Sequence, residues 1–530
     1  MKYGFIIDNR KCIGCHACTV ACKSEHDVPI GVNRTWVKQV EKGQYPDTQR
    51  LFSVMRCNHC TNAPCVEICP VEALHVREDG IVDFDNSRCI GCKACTQACP
   101  YDALYIDPET NTAAKCNYCS HRVEIGLEPA CVNVCPEHAI ISGDMEDPES
   151  EISHLLSTQK VTVRKPEKGT EPNLFYINGD DAALTPSLSR ESDDYLWNSQ
   201  TGGVGHFAKY ADYKKQQSDP EAMKEVLAGK QGNGQKQIQA IMSKSRRVYD
   251  APAKGTLWGW EVSTYVWTKA ISTGAFLVPF LALGFGLADV SETIKWTSIV
   301  LGLVFLTLTG GFLVKDLDQP TRFIYVLLRP QWKSWLVRGG YAITVFGGLL
   351  TLWAVSVFMG WGMVETIALW AGAALAILTS IYTAFLFAQA KSRDFWQSPA
   401  LSLHMLLHSF MAGAAVFGIF SIMSEATTDW TDFLNKVLMI SVGVNLFTML
   451  LELATPHGTI DAKKTVKMIV SGRYKNLFWI GVVVFGNILP MVLAGTGLTL
   501  GLPAASVLVL MGMYITEHIW VQAPQQIPLS

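Results

Sequence analysis

Cys89–Pro100 reads CIGCKACTQACP, and the run beginning at Cys12 reads CIGCHACTVACK. Both place four cysteines at the spacing C-x2-C-x2-C-x3-C. Two residues between thiols on a tight turn converge the sulfurs on one compact object. Gly14 and Gly91 lie inside those turns, where a side chain would crowd it or a positive φ is wanted. Two more quartets follow the plan with one gap widened. Cys57, Cys60, Cys65 and Cys69 are spaced C-x2-C-x4-C-x3-C, and Cys116, Cys119, Cys131 and Cys135 hold eleven residues in the same gap. Three runs close with Cys-Pro, at Pro70, Pro100 and Pro136, where the proline turns the chain away.

Zinc sites pair two C-x2-C knuckles and use no third cysteine three residues on. These runs instead fit 4Fe–4S ligation, in which three close cysteines wrap one cube and the fourth ligates the other cluster of a pair. Sixteen cysteines at four per cube give four clusters with none left over. The second and third quartets, about 30 residues apart, are expected to form one two-cluster module, with the first and fourth forming another around it. Cys22 then joins Cys116, Cys119 and Cys131, and Cys135 joins Cys12, Cys15 and Cys18. Likewise Cys69 joins Cys89, Cys92 and Cys95, and Cys99 joins Cys57, Cys60 and Cys65. Four clusters in so small a domain make sense for moving electrons over distance. No Gly-rich dinucleotide loop or nucleophile elbow accompanies them.

The rest of the 530 residues holds no cysteine, and long apolar runs begin only near residue 265. Water is the solvent of the first part and lipid of the second. A net charge of −3 argues against a nucleic-acid partner. Met1-Lys2-Tyr3 leads towards Cys12 without an apolar secretory core, so the cysteine domain is expected to remain in the cytoplasm.

This pattern divides the chain into a four-cluster domain (1–180), a hydrophilic connector (181–262), a membrane domain (263–522) and a tail (523–530). The connector is rich in Gly, Ser, Asp, Lys and Gln, and is expected to be extended or locally helical. Trp258, Trp260 and Trp267 are expected to mark the lipid interface. Eight apolar stretches of about the ~20 residues a bilayer requires lie near 268–288, 295–314, 337–360, 364–389, 400–423, 431–453, 477–498 and 503–521. The eighth reads as short, tapering into Glu517 and His518. On the cluster side the connections carry twelve Lys and Arg residues against two opposite, which places the clusters in the cytoplasm by the positive-inside rule. His404 and His408, one turn apart on one helix, cannot grip one iron from opposite faces. They read as packing or interfacial residues, and no haem is expected.

The four cysteine segments resemble, in order and spacing, the four-cluster subunits of complex iron–sulfur molybdoenzymes of the dimethyl sulfoxide and polysulfide reductase type. The stretches WTKAISTGAF, KDLDQPTRFIYVLLRPQWKSWLVRGGY and LLELATPHG resemble the NrfD (PsrC-type) membrane anchors. Asp318 and Gln319 stand where that family more commonly has Gly and Arg. The resemblance implies an α+β ferredoxin-like domain of two tandem two-cluster modules, fused to an all-α bundle of about eight spans. It implies an electron-transfer and anchor subunit with no catalytic residues of its own, linking a molybdenum- or tungsten-pterin catalytic subunit to menaquinone or ubiquinone. Tyr265, Lys269 and Asp316 are the implied quinone contacts, with Tyr265 donating to a quinone carbonyl and Asp316 relaying a proton. Intramembrane carboxylates are costly, which makes Glu452 a proton-path candidate. The alternative is a subunit of a larger quinone-linked assembly, of alternative complex III or hydrogenase type, without a molybdenum site.

Overall fold

The structure, a computed structural model, describes residues 1–44, 46–191, 245–251, 254–421, 427–496, 498 and 500–530. Most of the connector, residues 192–244, lies outside the described residues.

Cysteine spacing dictates the local structure of the first domain. A turn carries the leading cysteines of a run and a short helix carries the next: Ala17–Glu25, Pro64–Ile68, Ala94–Ala98 and Ala130–Asn133. His16 and Lys93, just ahead of two of these helices, have φ of 62° and 60°. A non-glycine residue in the left-handed region costs roughly 1–2 kcal/mol, so backbone strain sits where sulfurs are aimed.

Among the described residues, twelve strands frame these turns. They are β1 (Tyr3–Asp8), β2 (Thr35–Gln44), β3 (Asp47–Arg56), β4 (Leu74–Val76), β5 (Val82–Phe84), β6 (Leu104–Ile106), β7 (Ala113–Lys115), β8 (Ile140–Asp144), β9 (Val161–Thr162), β10 (Leu174–Ile177), β11 (Arg190–Glu191) and β12 (Ser245–Tyr249). One sheet runs β8-β1-β10-β9, with β1 parallel to β10 and antiparallel to β8, Phe5 standing opposite Ser142. Because β1 precedes the first quartet and β8 follows the fourth, this pairing encloses the second and third quartets. Those carry their own hairpins, β4-β5 and β6-β7. The result is one ferredoxin-like module nested inside another.

Where it is described, the connector is part of the fold rather than an open tether. Its strand β12 pairs antiparallel with β2 in a sheet ordered β11-β12-β2-β3. Ala182 and Ala183 pack with Val40 and Leu51, and the Trp36 indole donates to Asp250 at 2.8 Å. A strand as polar as Ser245–Tyr249 (SRRVY) suffices to extend an existing sheet through backbone pairing, although it has too few apolar residues to build a core.

Eight helices among the described residues are long and apolar enough to cross a membrane: Trp260–Phe285, Glu292–Lys315, Trp335–Met359, Gly362–Gln389, Ala400–Phe420, Thr428–Ala454, Leu477–Gly495 and Gly501–Gln525. The eighth is not short: it runs 25 residues and carries Glu517 well inside. The first span is the hub, 83% buried, whereas the second and third are 28% buried and present most of their surface outward. Close approach at the hub depends on glycine. A Cβ on Gly274 would lie 1.9 Å from the Ser409 carbonyl oxygen, and one on Gly413 would lie 2.1 Å from that of Gly274. Small residues at crossings let helix backbones touch, which is how bundles gain packing in lipid. Residues 477–488 of the seventh span form a π-helix.

Candidate metal centres and the membrane interface

Each quartet is broken up by the fold and regrouped. One cavity is lined by Cys69, Cys89, Cys92 and Cys95, so Cys69 stands with the third run and away from its own. A second is lined by Cys12, Cys15, Cys18 and Cys135, joining the first run to the end of the fourth. Cys22 interacts with Cys116, Cys131 and Cys119, and Cys65 with Cys99 and Cys57. All sixteen cysteines are free thiols, and Cys15 alone among them is well exposed. Burial pushes Cys18 up to about 12, against the pull of Arg56. Burial likewise raises Cys57 to about 11. Plain thiols bury readily as small hydrophobes, so the signal is their gathering in groups rather than their burial. A cationic metal core at the centre of each group would let them sit as thiolates, and soft thiolate sets of four are the donors of iron–sulfur clusters. The residues fit the group.

The two ends of this row differ. Cys15 is exposed and Ile13 beside it is 55% exposed. The opposite end is pressed onto the membrane domain, whose donors reach the backbone of the cysteine loops themselves. The Trp258 indole donates to the Cys92 carbonyl at 3.1 Å. Gln331 donates to the Cys69 and Val66 carbonyls at 3.1 and 2.9 Å, and Ser334 to Ile68 at 2.7 Å. Arg322 donates to the Cys89 carbonyl at 2.9 Å. Lys93, between Cys92 and Cys95, donates to the Asp316 carbonyl at 2.9 Å and pairs with the Asp318 carboxylate at 3.0 Å. Gly91, with φ of 69°, is required at this seam: a Cβ would come within 2.7 Å of Asp318.

The candidates on the lipid side fall into three places: Tyr265 with Lys269, Asp316 at the seam, and Glu452 on the sixth span. Tyr265 and Lys269 are buried one turn apart on the first span. The Lys269 ammonium donates to the Ser380 carbonyl at 2.9 Å and the Thr383 hydroxyl at 2.6 Å, over the ring of Tyr382 at 4.5 Å. Tyr265 faces the same Tyr382 and Thr383 on the fourth span. Asp316 caps the second span, and its carboxylate lies 3.8 Å from Lys93, which makes it part of the seam. Glu452 is buried on the sixth span, its carboxylate 3.2 Å from His404 Nε2.

Some expectations need correction here. Trp258 is no lipid anchor: it is 4% exposed and stacks on Phe387 and Trp396 at 5.6 Å from each, a wedge beneath the Cys92 loop. Trp267 is also turned inward, donating to the Leu510 carbonyl at 3.0 Å. Trp260 alone of the three is well exposed, with Lys315 over its ring at 4.1 Å. His404 and His408 are neither interfacial nor simple packing residues. His404 Nδ1 bonds to Asn445 at 3.0 Å, and His408 Nδ1 to the Glu517 carboxylate at 2.6 Å. Glu517 is the residue that sequence reasoning undervalued. Ending the eighth span near residue 521 placed Glu517 at its edge, whereas the intramembrane-carboxylate rule applied to a longer helix would have singled it out.

Comparison with known proteins agrees with this arrangement. Residues 5–70 and 48–145 each match a 4Fe-4S dicluster domain, and residues 251–527 match the family described as polysulphide reductase, NrfD. A tetrathionate reductase subunit of Salmonella typhimurium is 49% identical over 201 residues, 37% of this chain and 80% of that protein. A polysulfide reductase chain of Wolinella succinogenes is 45% identical over 181 residues, 33% of this chain and 94% of that protein. The iron–sulfur subunit of the arsenate respiratory reductase of Shewanella sp. (ArrB) is 33% identical over 225 residues, 33% of this chain and 96% of that protein. Sulfur sites of dicluster type, seated by direct hydrogen bonds on an eight-helix domain, make this chain an iron–sulfur electron-transfer subunit fused to its own multi-pass membrane anchor, a member of the polysulphide reductase NrfD family.

Proposed function

We propose that the chain links a molybdenum- or tungsten-pterin catalytic subunit, docked on the cluster domain in the cytoplasm, to menaquinone or ubiquinone in the cell's inner (cytoplasmic) membrane. The four 4Fe–4S clusters, when bound to the sixteen cysteines, supply one-electron carriers. The observation that carries this reading is the seam itself. Trp258, just ahead of the first span, and Gln331 and Arg322 of the membrane domain bond to the carbonyls of Cys92, Cys69 and Cys89. The membrane domain thus grips the loops of one cluster site at the same end of the bundle from which the first span, carrying Tyr265 and Lys269, sets out.

Each residue then has a task. Tyr265 donates a hydrogen bond to a quinone carbonyl. Lys269, held by Ser380 and Thr383, offers an N–H donor beside a reduced head group. Asp316 relays a proton at the seam, exchanging its partner Lys93 for the quinone oxygen. Glu452, with His404, carries protons deeper in the bundle. A second such pair, His408 with Glu517, supports the same reading, because two carboxylates buried in lipid are retained at a cost. The cytoplasmic orientation rests on the Lys and Arg asymmetry. Arg322 and Arg393 bond to the cluster domain and Lys464 to Ser187 of the connector, so part of the excess of twelve over two also serves docking.

The test uses the anaerobically purified full chain in lipid nanodiscs. About sixteen irons per chain are expected, together with reduction of the clusters by a short-chain menaquinol, followed by electron paramagnetic resonance. Tyr265→Phe should slow that reduction about tenfold with iron unchanged. Clusters that stay oxidised under excess quinol would end the proposal. Molybdenum or tungsten should track with the chain in complexes captured from membranes, and digestion of the connector in sealed right-side-out vesicles would reverse the assigned orientation.

A further inference from the structure

Arg56 is the last residue of β3, one position before Cys57, and its side chain is completely enclosed. A buried guanidinium normally faces a carboxylate, because removing the charge from water is otherwise too costly. No carboxylate of the described residues pairs with it. Its Nη1 donates to Cys131 Sγ at 3.0 Å, and its plane lies over the Phe5 ring at 4.5 Å. Nε and Nη2 have no protein acceptor among the described residues. The charges that it faces are sulfurs: Cys131, Cys116, Cys18, Cys22 and Cys119. Four of these five form a single ligand group.

The lysines beside the cluster loops are answered by protein. Lys93 has Asp318, and Lys115 donates to the carbonyls of Val82 and Cys116. Only Arg56 among these three is left with unmet N–H groups facing cysteine sulfur. We propose that the Arg56 guanidinium is the electrostatic counterpart of the cluster held by Cys22, Cys116, Cys119 and Cys131, and raises the reduction potential of that one centre. An electron added there makes the centre more negative, and a fixed cation in a dry site stabilises the reduced form most. Hydrogen bonds to ligand sulfur and local charge are the levers by which a protein moves such potentials. Arg56 is on this account a positioning and tuning residue, and the inference rests on the ligand groups proposed above.

The experiment is a potentiometric titration of the full chain in nanodiscs by electron paramagnetic resonance, on wild type, Arg56→Gln and Arg56→Lys, with iron content measured throughout. Arg56→Gln should keep about sixteen irons and shift one centre at least tenfold towards its oxidised form at fixed ambient potential. That is about 59 mV for a one-electron couple. The other three centres should stay in place, and Arg56→Lys should restore more than half of the shift. An unmoved centre in a fully loaded Arg56→Gln chain overturns the proposal. So does loss of about four irons in both variants, which would make Arg56 an assembly residue. Wild-type chain lacking the irons would instead fault the ligand assignment and not this step.

Discussion

The two faces of the helical bundle are built from the same kinds of residue and behave differently. On the face that meets the cluster domain, the ends of the spans are tied to cysteine loops. Gln97 of the third run donates to Gln525 at 2.9 Å and accepts from Arg393 at 3.1 Å, while Arg164 donates to the Leu529 carbonyl at 3.0 Å. On the opposite face the described turns are short and bond within the bundle, the Asp289 backbone N–H donating to the Asp429 carboxylate at 3.1 Å. Lys295 pairs there with Glu365 at 2.9 Å and Glu292 at 3.1 Å. An ion pair on the first face joins two domains with different solvents. An ion pair on the second ties two spans of the same bundle or closes a helix turn. The chemistry of the molecule is therefore concentrated at one end of the bundle, and that asymmetry can be tested.

The largest effect should come from a cysteine at the seam. Cys92 is a ligand candidate whose carbonyl is also gripped by Trp258. Cys92→Ser replaces a soft thiolate with a poor iron ligand. It should remove about a quarter of the iron and slow quinol-driven reduction of the remaining clusters more than 100-fold. Cys15→Ser at the exposed end should cost the same iron but leave that reduction within about twofold. Equal effects of the two variants would mean that electrons do not enter through the seam. Next comes Lys93→Gln, which leaves Asp318 and the Asp316 carbonyl without their cation. The Asp318 pair is only partly enclosed, so its own contribution is modest. The consequence is a looser seam: about a tenfold slower quinol-driven reduction, with iron content unchanged.

Cluster content and membrane span number were legible because each is imposed by a local rule. Cys12 through Cys22 must repeat at fixed intervals to wrap one cube, and each span must be long enough to cross hydrocarbon whatever it packs against. What stayed hidden depends on partners far away in the chain. His408 is an ordinary helix residue until Glu517 arrives from the eighth span, 109 positions on. Trp258 reads as an interfacial tryptophan until the Cys92 loop descends on it, and β12 reads as linker until β2 offers an open edge. Arg56 was invisible for a related reason. One arginine before a cysteine carries no signal, and only the enclosure of its guanidinium among five sulfurs gives it meaning.

The smallest effect belongs to the far face and is the sharpest check on the comparison. Lys295 resembles Lys93: each is a lysine paired with acidic residues at the end of a span or loop, and each is mostly enclosed. If lysine–carboxylate pairing were simply a general prop of the bundle, Lys295→Met should disturb function as Lys93→Gln does. Glu292 is largely exposed, so one of its two partners stays in water after the substitution, and the remaining loss is that of a near-surface pair, about 0–1 kcal/mol. Quinol-driven cluster reduction should stay within twofold of wild type, with the midpoint of thermal unfolding in detergent shifted by only a few degrees. A tenfold loss of rate in Lys295→Met, at full iron content, would show that the far face is coupled to the redox seam through the first span, the most enclosed helix of the eight.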